Sequence, residues 1–168
     1  KLYYTYYIQP TLEYCCTIWA GTSKKNIDVL LKLQKRAARL ILNKTHEPFT
    51  QRTRTVDLFL ELNWLPCDYR MLCMYHLSIL AFKGINGLFP SNICKLFTTC
   101  KNSTPRSLRS CTSNNIYLTQ RHPKNSVGQA TKIWNRLNSY LKHETSLQPF
   151  KLLVKAKLHK DFSKTNTS

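Results

Sequence analysis

The stretch that decides the fold is Lys24–Asn43, which reads KKNIDVLLKLQKRAARLILN. With 100° between successive residues, apolar side chains gather on one face of a helix. They are Ile27, Leu30, Ala37, Ala38 and Ile41. Basic side chains gather on the opposite face, interrupted only by Asp28; they are Lys25, Lys32, Lys35, Arg36 and Arg39. Because Ser23 is a suitable N-cap, we expect an amphipathic helix over residues 24–43.

Similar periodicity on both sides of this stretch predicts a mainly α fold with about six helices. The helical segments are Thr11–Trp19, Lys24–Asn43, Val56–Leu62, Tyr69–Lys83, Ser91–Phe97, Ala130–Leu141 and Leu147–Phe162. Pro10 suits a first helical turn, Asp68 is a predicted cap, and Gly84 and Gly87 are predicted stop signals. The expected buried stripes are Leu72, Tyr75, His76, Ile79 and Phe82, and later Phe150, Leu153, Val154 and Leu158.

The periodicity is lost between residues 98 and 126, which are rich in Ser, Thr, Asn and basic side chains. Ile116–Gln120 is the one strand candidate there, with a small hairpin as an alternative to irregular chain. A connection of this length is either a functional loop or a linker. We therefore expect a helical region at 1–97, an irregular basic connector at 98–129, a C-terminal helical region at 130–162 and a disordered tail at 163–168.

Charge is the strongest compositional signal, since 168 residues include 26 Lys and Arg but only 8 Asp and Glu, a net +18. A polyanion is the expected partner, with nucleic acid first and an acidic membrane surface second. No apolar run approaches the roughly 20 residues that a membrane span needs. Seven cysteines without a secretory signal favour reduced thiols and a nuclear or cytoplasmic location.

The sequence contains no recognisable catalytic machinery. Two-metal nucleotidyl transfer needs clustered carboxylates, yet among the eight acids only Asp57 and Glu61 share a helical face. No paired nucleophile or glycine-rich phosphate loop is present, so we expect no enzyme activity, no cofactor and no metal. The alternative is a zinc site built from Cys94, Cys100, Cys111 and either His122 or His143, although the spacings fit no common zinc pattern.

Three basic sets are candidate nucleic-acid contacts, and for each a solvated surface is the alternative. The first is the Lys25–Arg39 face, where the scarcity of acids favours phosphate binding. The second lies on the last helix and comprises Lys151 and Lys155, followed by Lys157, Lys160 and Lys164. The third lies in the irregular segment and comprises Arg106, Arg109, Arg121 and Lys124, interleaved with Tyr117 and His122. Tyrosines near the N-terminus either stack on bases or pack against another domain: Tyr3, Tyr4, Tyr6, Tyr7 and Tyr14.

Six phrases, in order along nearly the whole chain, resemble the post-catalytic region of LINE-type (non-LTR) retrotransposon reverse transcriptases. They are Leu2-Tyr3-Tyr4 with Pro10-x-Leu12-Glu13-Tyr14 and Ile18-Trp19; Leu30-x-x-Leu33-Gln34-x-x-Ala37-x-Arg39-x-Ile41; Leu60-x-Leu62-x-Trp64-Leu65-Pro66 followed by Tyr69-Arg70; Leu108-Arg109-Ser110; Trp134-Asn135-x-Leu137; and Ser146-Leu147-x-x-Phe150-Lys151-x-x-Val154-Lys155. Leu108 and Asn138 depart from the family pattern, where Thr and Pro are usual.

The resemblance implies an RNA-directed DNA polymerase whose catalytic carboxylates lie upstream of the matching region. Residues 1–97 would then be thumb-like, and this chain would be a noncatalytic fragment that grips the template–primer backbone. Its partners would be RNA and DNA, bound with weak sequence preference, and a missing upstream polymerase palm, with no membrane. The alternative function is a helical protein–protein interaction module with a solubilising basic surface.

Overall fold

A computed structural model describes residues 1–19, 24–45, 53–67, 69–97, 115–116 and 125–165. The chain is mainly helical, as predicted, and the prediction of about six helices is roughly consistent with the nine that these residues contain, since four of the nine are only four or five residues long. The α-helices are α1 (Gln9–Glu13), α2 (Cys16–Trp19), α3 (Lys24–Ile41), α4 (Thr55–Leu62), α5 (Met74–Ile85), α6 (Ser91–Cys94), α7 (Ser126–Arg136), α8 (Ser139–Lys142) and α9 (Leu147–Thr165). Two π-helical segments, Tyr4–Ile8 and Tyr69–Cys73, run directly into α1 and α5.

The chain forms two compact units: an N-terminal unit of residues 1–73 and 156–168, and a central unit of residues 74–155. The core of the N-terminal unit lies between α3 and α4. It comprises Tyr4, Ala38, Leu58, Phe59, Leu62 and Trp64. The Tyr4 ring stacks on Trp64 with centroids 3.7 Å apart, and Phe59 stacks on Phe162 at 6.3 Å. Such aromatic pairs add about 0.5–1.5 kcal/mol each beyond the burial of their area.

Three helix ends are fixed by a residue with positive φ. Asn43, Asn63 and Gly87 have φ of 55°, 57° and 69° and follow α3, α4 and α5. In each case the next backbone N–H donates to the carbonyl five residues earlier, for example Lys44 N to Arg39 O at 2.8 Å. This is the Schellman pattern, which satisfies carbonyls at a helix end. Gly87 is therefore a stop signal, as predicted.

Gly84 is not a stop signal, contrary to the prediction, because it lies within α5 and is buried. A Cβ at this position would overlap the ring of Phe97, which is itself buried. Gly84 therefore permits the segment after α6 to approach α5 closely. The helix predicted at Ser91–Phe97 is shorter than expected, since α6 ends at Cys94.

Two of the expected helical patterns differ from those observed. The first helix was predicted to begin at Thr11, but helical backbone already covers Tyr4–Glu13 and then breaks at Cys15, where φ is 51°. The residues buried in α5 are Leu77, Ser78, Ala81, Phe82 and Gly84, whereas Tyr75, His76 and Ile79 of the predicted stripe are only half-buried.

The core of the central unit is built by α5, α7 and the first part of α9. Phe150 stacks on Phe82 at 4.4 Å and lies 5.9 Å from Trp134. The helix predicted at 130–141 begins earlier and is interrupted. The Asn125 side chain caps α7 by accepting from Gly128 N at 2.7 Å, and extended backbone at Leu137 separates α7 from α8.

The last helix carries the predicted buried residues Phe150, Val154 and Leu158, while Leu153 is half-buried. α9 continues to Thr165, so residues 163–165 are helical where the sequence predicted a disordered tail. Ser23, Asp68 and the strand residues 117–120 lie outside the described residues. In the described ranges no helix combines the length and the apolar character needed to cross a bilayer.

Candidate nucleic-acid interface

The strongest candidate surface is the outer face of α3. This helix carries six basic residues and one acid, which gives it a charge of 6 − 1 = +5. Lys25, Lys32 and Arg36 are exposed on one side of the helix. None of these three side chains pairs with a carboxylate of any described residue. The remaining two predicted side chains, Lys35 and Arg39, are half-buried, so the exposed basic stripe is narrower than predicted.

The stripe has a regular spacing. Lys25, Lys32 and Arg36 are seven and four residues apart, which corresponds to about 10 Å and about 6 Å along an α-helix. These lengths are about three and two times the 3.4 Å axial rise per phosphate of one nucleic-acid strand. The exposed acid of α3, Asp28, is the only carboxylate in the helix.

Ion pairs found elsewhere in the N-terminal unit give a useful contrast. Lys44 Nζ lies 3.0 Å from Glu61 Oε2, and Arg54 Nε lies 3.1 Å from Asp57 Oδ2. The carboxylates that share a face of α4 are therefore each engaged with a basic side chain. Surface pairs of this type contribute little to stability, but they remove these positive charges from the set that a polyanion would meet.

The second predicted set is less exposed than the sequence suggested. Lys151, Lys155 and Lys157 are half-buried, whereas Lys160 and Lys164 are exposed. The first two belong to the central unit and the other three to the N-terminal unit.

The central unit also exposes a basic pair on α7, Lys132 and Arg136, which the sequence analysis missed. Their i, i+4 spacing places them on one face of the helix, and this spacing could have identified the pair from the sequence.

The third predicted set lies outside the described residues. It comprises Arg106, Arg109, Arg121 and Lys124, together with Tyr117 and His122.

The alternative zinc ligands Cys100 and Cys111 also lie outside the described residues. Cys94 is half-buried, and its Sγ donates to Phe89 O at 3.1 Å. Among the described side chains, no three His, Cys, Asp or Glu residues form a cluster able to hold a metal.

The N-terminal tyrosines divide into two groups. Tyr4 is buried against Trp64, so it is a core residue and not a stacking surface for bases. The exposed ones are Tyr3, Tyr6, Tyr7 and Tyr14. Tyr3 and Tyr7 stack on each other with centroids 5.0 Å apart.

A buried amide holds α3 against the segment that follows α4. Gln34 is only 3% exposed. Its Nε2 donates to Leu65 O at 2.9 Å, and its Oε1 accepts from Cys67 N at 2.8 Å. The sequence pattern did not indicate this role, although Gln34 and Trp64-Leu65-Pro66 both belong to the phrases quoted above for the resemblance. The amide therefore fixes the position of the helix that carries the basic stripe.

A second amide plays the same part in the central unit. Asn135 Oδ1 accepts from Ile116 N at 2.9 Å, and Asn135 Nδ2 donates to Ile116 O at 3.0 Å. Lys142 Nζ donates to Asn115 Oδ1 at 2.8 Å beside it. The Asn135 of the phrase Trp134-Asn135 thus has a structural task, and it holds one short piece of the irregular segment against α7.

Buried thiols near Gln34 are unsuited to nucleophilic chemistry. Burial raises the pKa of the Cys67 thiol to about 12, with the neighbouring Glu13 and Cys16 adding to the rise, and burial raises the pKa of Cys73 to about 11. Burial also raises the pKa of the Tyr4 hydroxyl above its ordinary value. A thiol that stays protonated at neutral pH is a poor nucleophile.

The pocket beside Tyr4 and Cys67 is too small for a substrate. It has a volume of about 10 Å³ between Tyr4, Glu13, Gln34, Trp64 and Cys67. This is room for at most one water molecule. This pocket therefore offers no substrate site, and the basic outer face of α3 is the candidate surface.

The chain matches no protein-family model, no curated protein and no solved structure.

Proposed function

We propose that this chain is a nucleic-acid-binding, noncatalytic C-terminal region of a LINE-type retrotransposon reverse transcriptase, and that it grips the backbone of a template–primer duplex. The observation that carries the proposal is the line of exposed Lys25, Lys32 and Arg36 on α3, unpaired with any described carboxylate. The resemblance of the six phrases supplies the family. RNA and DNA are the partners, together with an upstream polymerase palm, and the place of action is the nucleus or cytoplasm.

The chemistry of the stripe favours backbone contacts over base readout. Lys and Arg on one exposed helix face offer charge and N–H donors to phosphate oxygens, which fix the position of a duplex without reading its sequence. The buried amide of Gln34 supports this use indirectly, because it holds the rigid helix in place while the charged side chains of that helix point away from the core. Because the contacts are to the backbone, we expect the chain to bind duplexes with weak sequence preference.

The test is the salt dependence of binding to a fluorescently labelled duplex, followed by anisotropy at several KCl concentrations. Each phosphate contact on B-form DNA contributes about −0.9 to the slope of log K against log salt. The variant in which Lys25, Lys32 and Arg36 are all replaced by Gln should lose about 3 × 0.9, or roughly 2.7, from that slope. Lys24→Gln, an exposed lysine on another side of the same helix, is the matched control.

Gln sustains a helix nearly as well as Lys or Arg, so circular dichroism should show the helix content unchanged. All duplex sequences should weaken alike, because phosphate contacts carry no base information. An unchanged slope in the triple variant would mean that the stripe is only a solvated surface, as the alternative interaction module requires.

A further inference from the structure

The outer face of α3 carries a second, apolar feature beside the basic stripe. Val29, Leu33 and Leu40 are 53%, 55% and 69% exposed, although the helix already buries Ile27 and Ala38 on its inner side. Large apolar side chains exposed in a row mark an interaction surface more often than scattered single ones do. Phosphate binding does not explain why these apolar side chains are exposed.

The exposed residues follow a strict 3-4 spacing. The outer seam of α3 reads Asn26, Val29, Leu33, Arg36 and Leu40, with intervals of three, four, three and four residues. This is the a/d spacing of a helix that packs lengthwise against a second helix. The seam extends over about 21 Å, or four helical turns.

The charged residues beside the seam indicate which kind of partner helix can bind there. The g positions beside it are Lys25, Lys32 and Arg39, and Arg36 occupies a d position within it. The e positions on the other side are Leu30 and Ala37, which are half-buried on the covered side of the helix. Residues at e and g set partner choice through charge pairs, so the partner must supply acidic side chains along one edge.

A second copy of this chain does not supply them. Two antiparallel copies of α3 would bring g positions together, so that Lys25 and Lys32 would meet lysines. Two parallel copies would place the same lysines beside Leu30 and Ala37, with Arg36 against Arg36. Neither arrangement pairs a positive with a negative side chain.

We infer that the outer seam of α3 is a docking site for an acidic amphipathic helix of a partner protein. Leucines of the partner pack between Val29, Leu33 and Leu40, and its carboxylates meet Lys25 and Lys32. The inference goes beyond nucleic-acid binding and does not depend on it, because the apolar side chains carry it. A seam of this length buries less than about 1,200 Å² and forms a transient complex. Because both ligands use Lys25 and Lys32, the partner helix and the duplex compete for the same face of α3.

The probe is a synthetic peptide of about three heptads with Leu at a and d and Glu at e and g, labelled with fluorescein and titrated with the full chain. A peptide with Lys at e and g is the charge control. Leu33→Gln combined with Leu40→Gln should weaken binding of the acidic peptide by about tenfold or more. Duplex binding by this variant should stay within about twofold of that of the unaltered chain, since neither leucine contacts phosphate.

Leu152→Gln is the matched control, because Leu152 is 70% exposed on α9. It should leave both affinities unchanged, and circular dichroism should show that every variant keeps its helix content. Binding of the acidic peptide without duplex binding would support the docking site and contradict the proposed function. Competition between peptide and duplex would support both.

Other outcomes would overturn the docking site. They are absence of acidic-peptide binding, equal affinity for the acidic and basic peptides, and an acidic-peptide affinity that ignores the leucine substitutions. An equal loss of duplex affinity in the leucine variant would make the seam part of the nucleic-acid surface. Dimers in sedimentation that Leu33→Gln dissociates would identify a second copy as the occupant. Leucine-dependent adsorption to vesicles of phosphatidylserine and phosphatidylcholine, without peptide binding, would identify a membrane.

Discussion

Replacement of Gln34 by Met should destabilise the N-terminal unit strongly. The substitution conserves volume approximately but removes the hydrogen bonds of the amide with Leu65 O and Cys67 N, as well as its interaction with the Tyr4 hydroxyl. Each buried backbone group left unpaired costs about 1–3 kcal/mol, so we expect a loss of about 2–6 kcal/mol in the free energy of unfolding. Because small domains have only about 5–15 kcal/mol in total, a loss of this size leaves the unit marginally stable.

The assay is urea denaturation followed by tryptophan fluorescence, because Trp64 lies in the same core and stacks on Tyr4. Gln148→Met is the matched control, since Gln148 is exposed near the start of α9. A substitution at such a surface position usually changes stability by less than about 0.5 kcal/mol. Equal midpoints and slopes for Gln34→Met and Gln148→Met would refute the assignment of the amide as a structural clamp.

A charge variant of the same position adds a pH signature. In Gln34→Glu the protonated carboxyl both donates and accepts, as the amide does, whereas the ionised form only accepts. Burial raises the pKa of the introduced carboxyl in the folded state above its unfolded value of about 4.3. Stability relative to the unaltered chain is therefore retained below the unfolded pKa and lost as pH rises towards the folded pKa. A difference that does not change with pH would contradict this picture.

Further outcomes follow from three other buried positions. Gly84→Ala should lower the thermal midpoint, because overlap with Phe97 costs about 1–3 kcal/mol and outweighs the gain in helix propensity; an equal or higher midpoint would count against the close approach. Thr131→Val should raise stability in urea by about 1 kcal/mol, because the Thr131 hydroxyl is buried without a hydrogen-bond partner among the described residues; a loss would reveal a partner. Cys67 should react with Ellman's reagent far more slowly than the exposed Cys15 at pH 8. Because the folded-state pKa of Cys67 is raised from 9.0 to about 12, the contribution of this thiol to stability is present below pH 9 and is lost as pH rises towards 12, and Cys67→Ala should remove that part of the decline.

The sequence by itself determined the long helices and the sign of the charge. α3, α4 and α9 follow from apolar spacing, since a helix that must bury one face repeats its apolar residues every three or four positions. The net charge of +18 and the basic face of α3 are also sequence properties, because exposed lysines and arginines need no partner to remain at the surface. Gly87 predicted the end of α5 because few other residues take positive φ without strain.

Only the tertiary structure decided which side chains of each helix are buried against neighbouring elements. The buried Gln34 and the exposed Leu33 and Leu40 contradict simple hydropathy, because a buried amide is stable only when particular backbone groups stand opposite it. The residues buried in α5 include Leu77 and Ala81 instead of the predicted Tyr75, His76 and Ile79, because contacts within the central unit determine which face of this helix is covered. Periodicity reports how one helix is divided into faces, whereas the neighbouring elements determine which of those faces is covered.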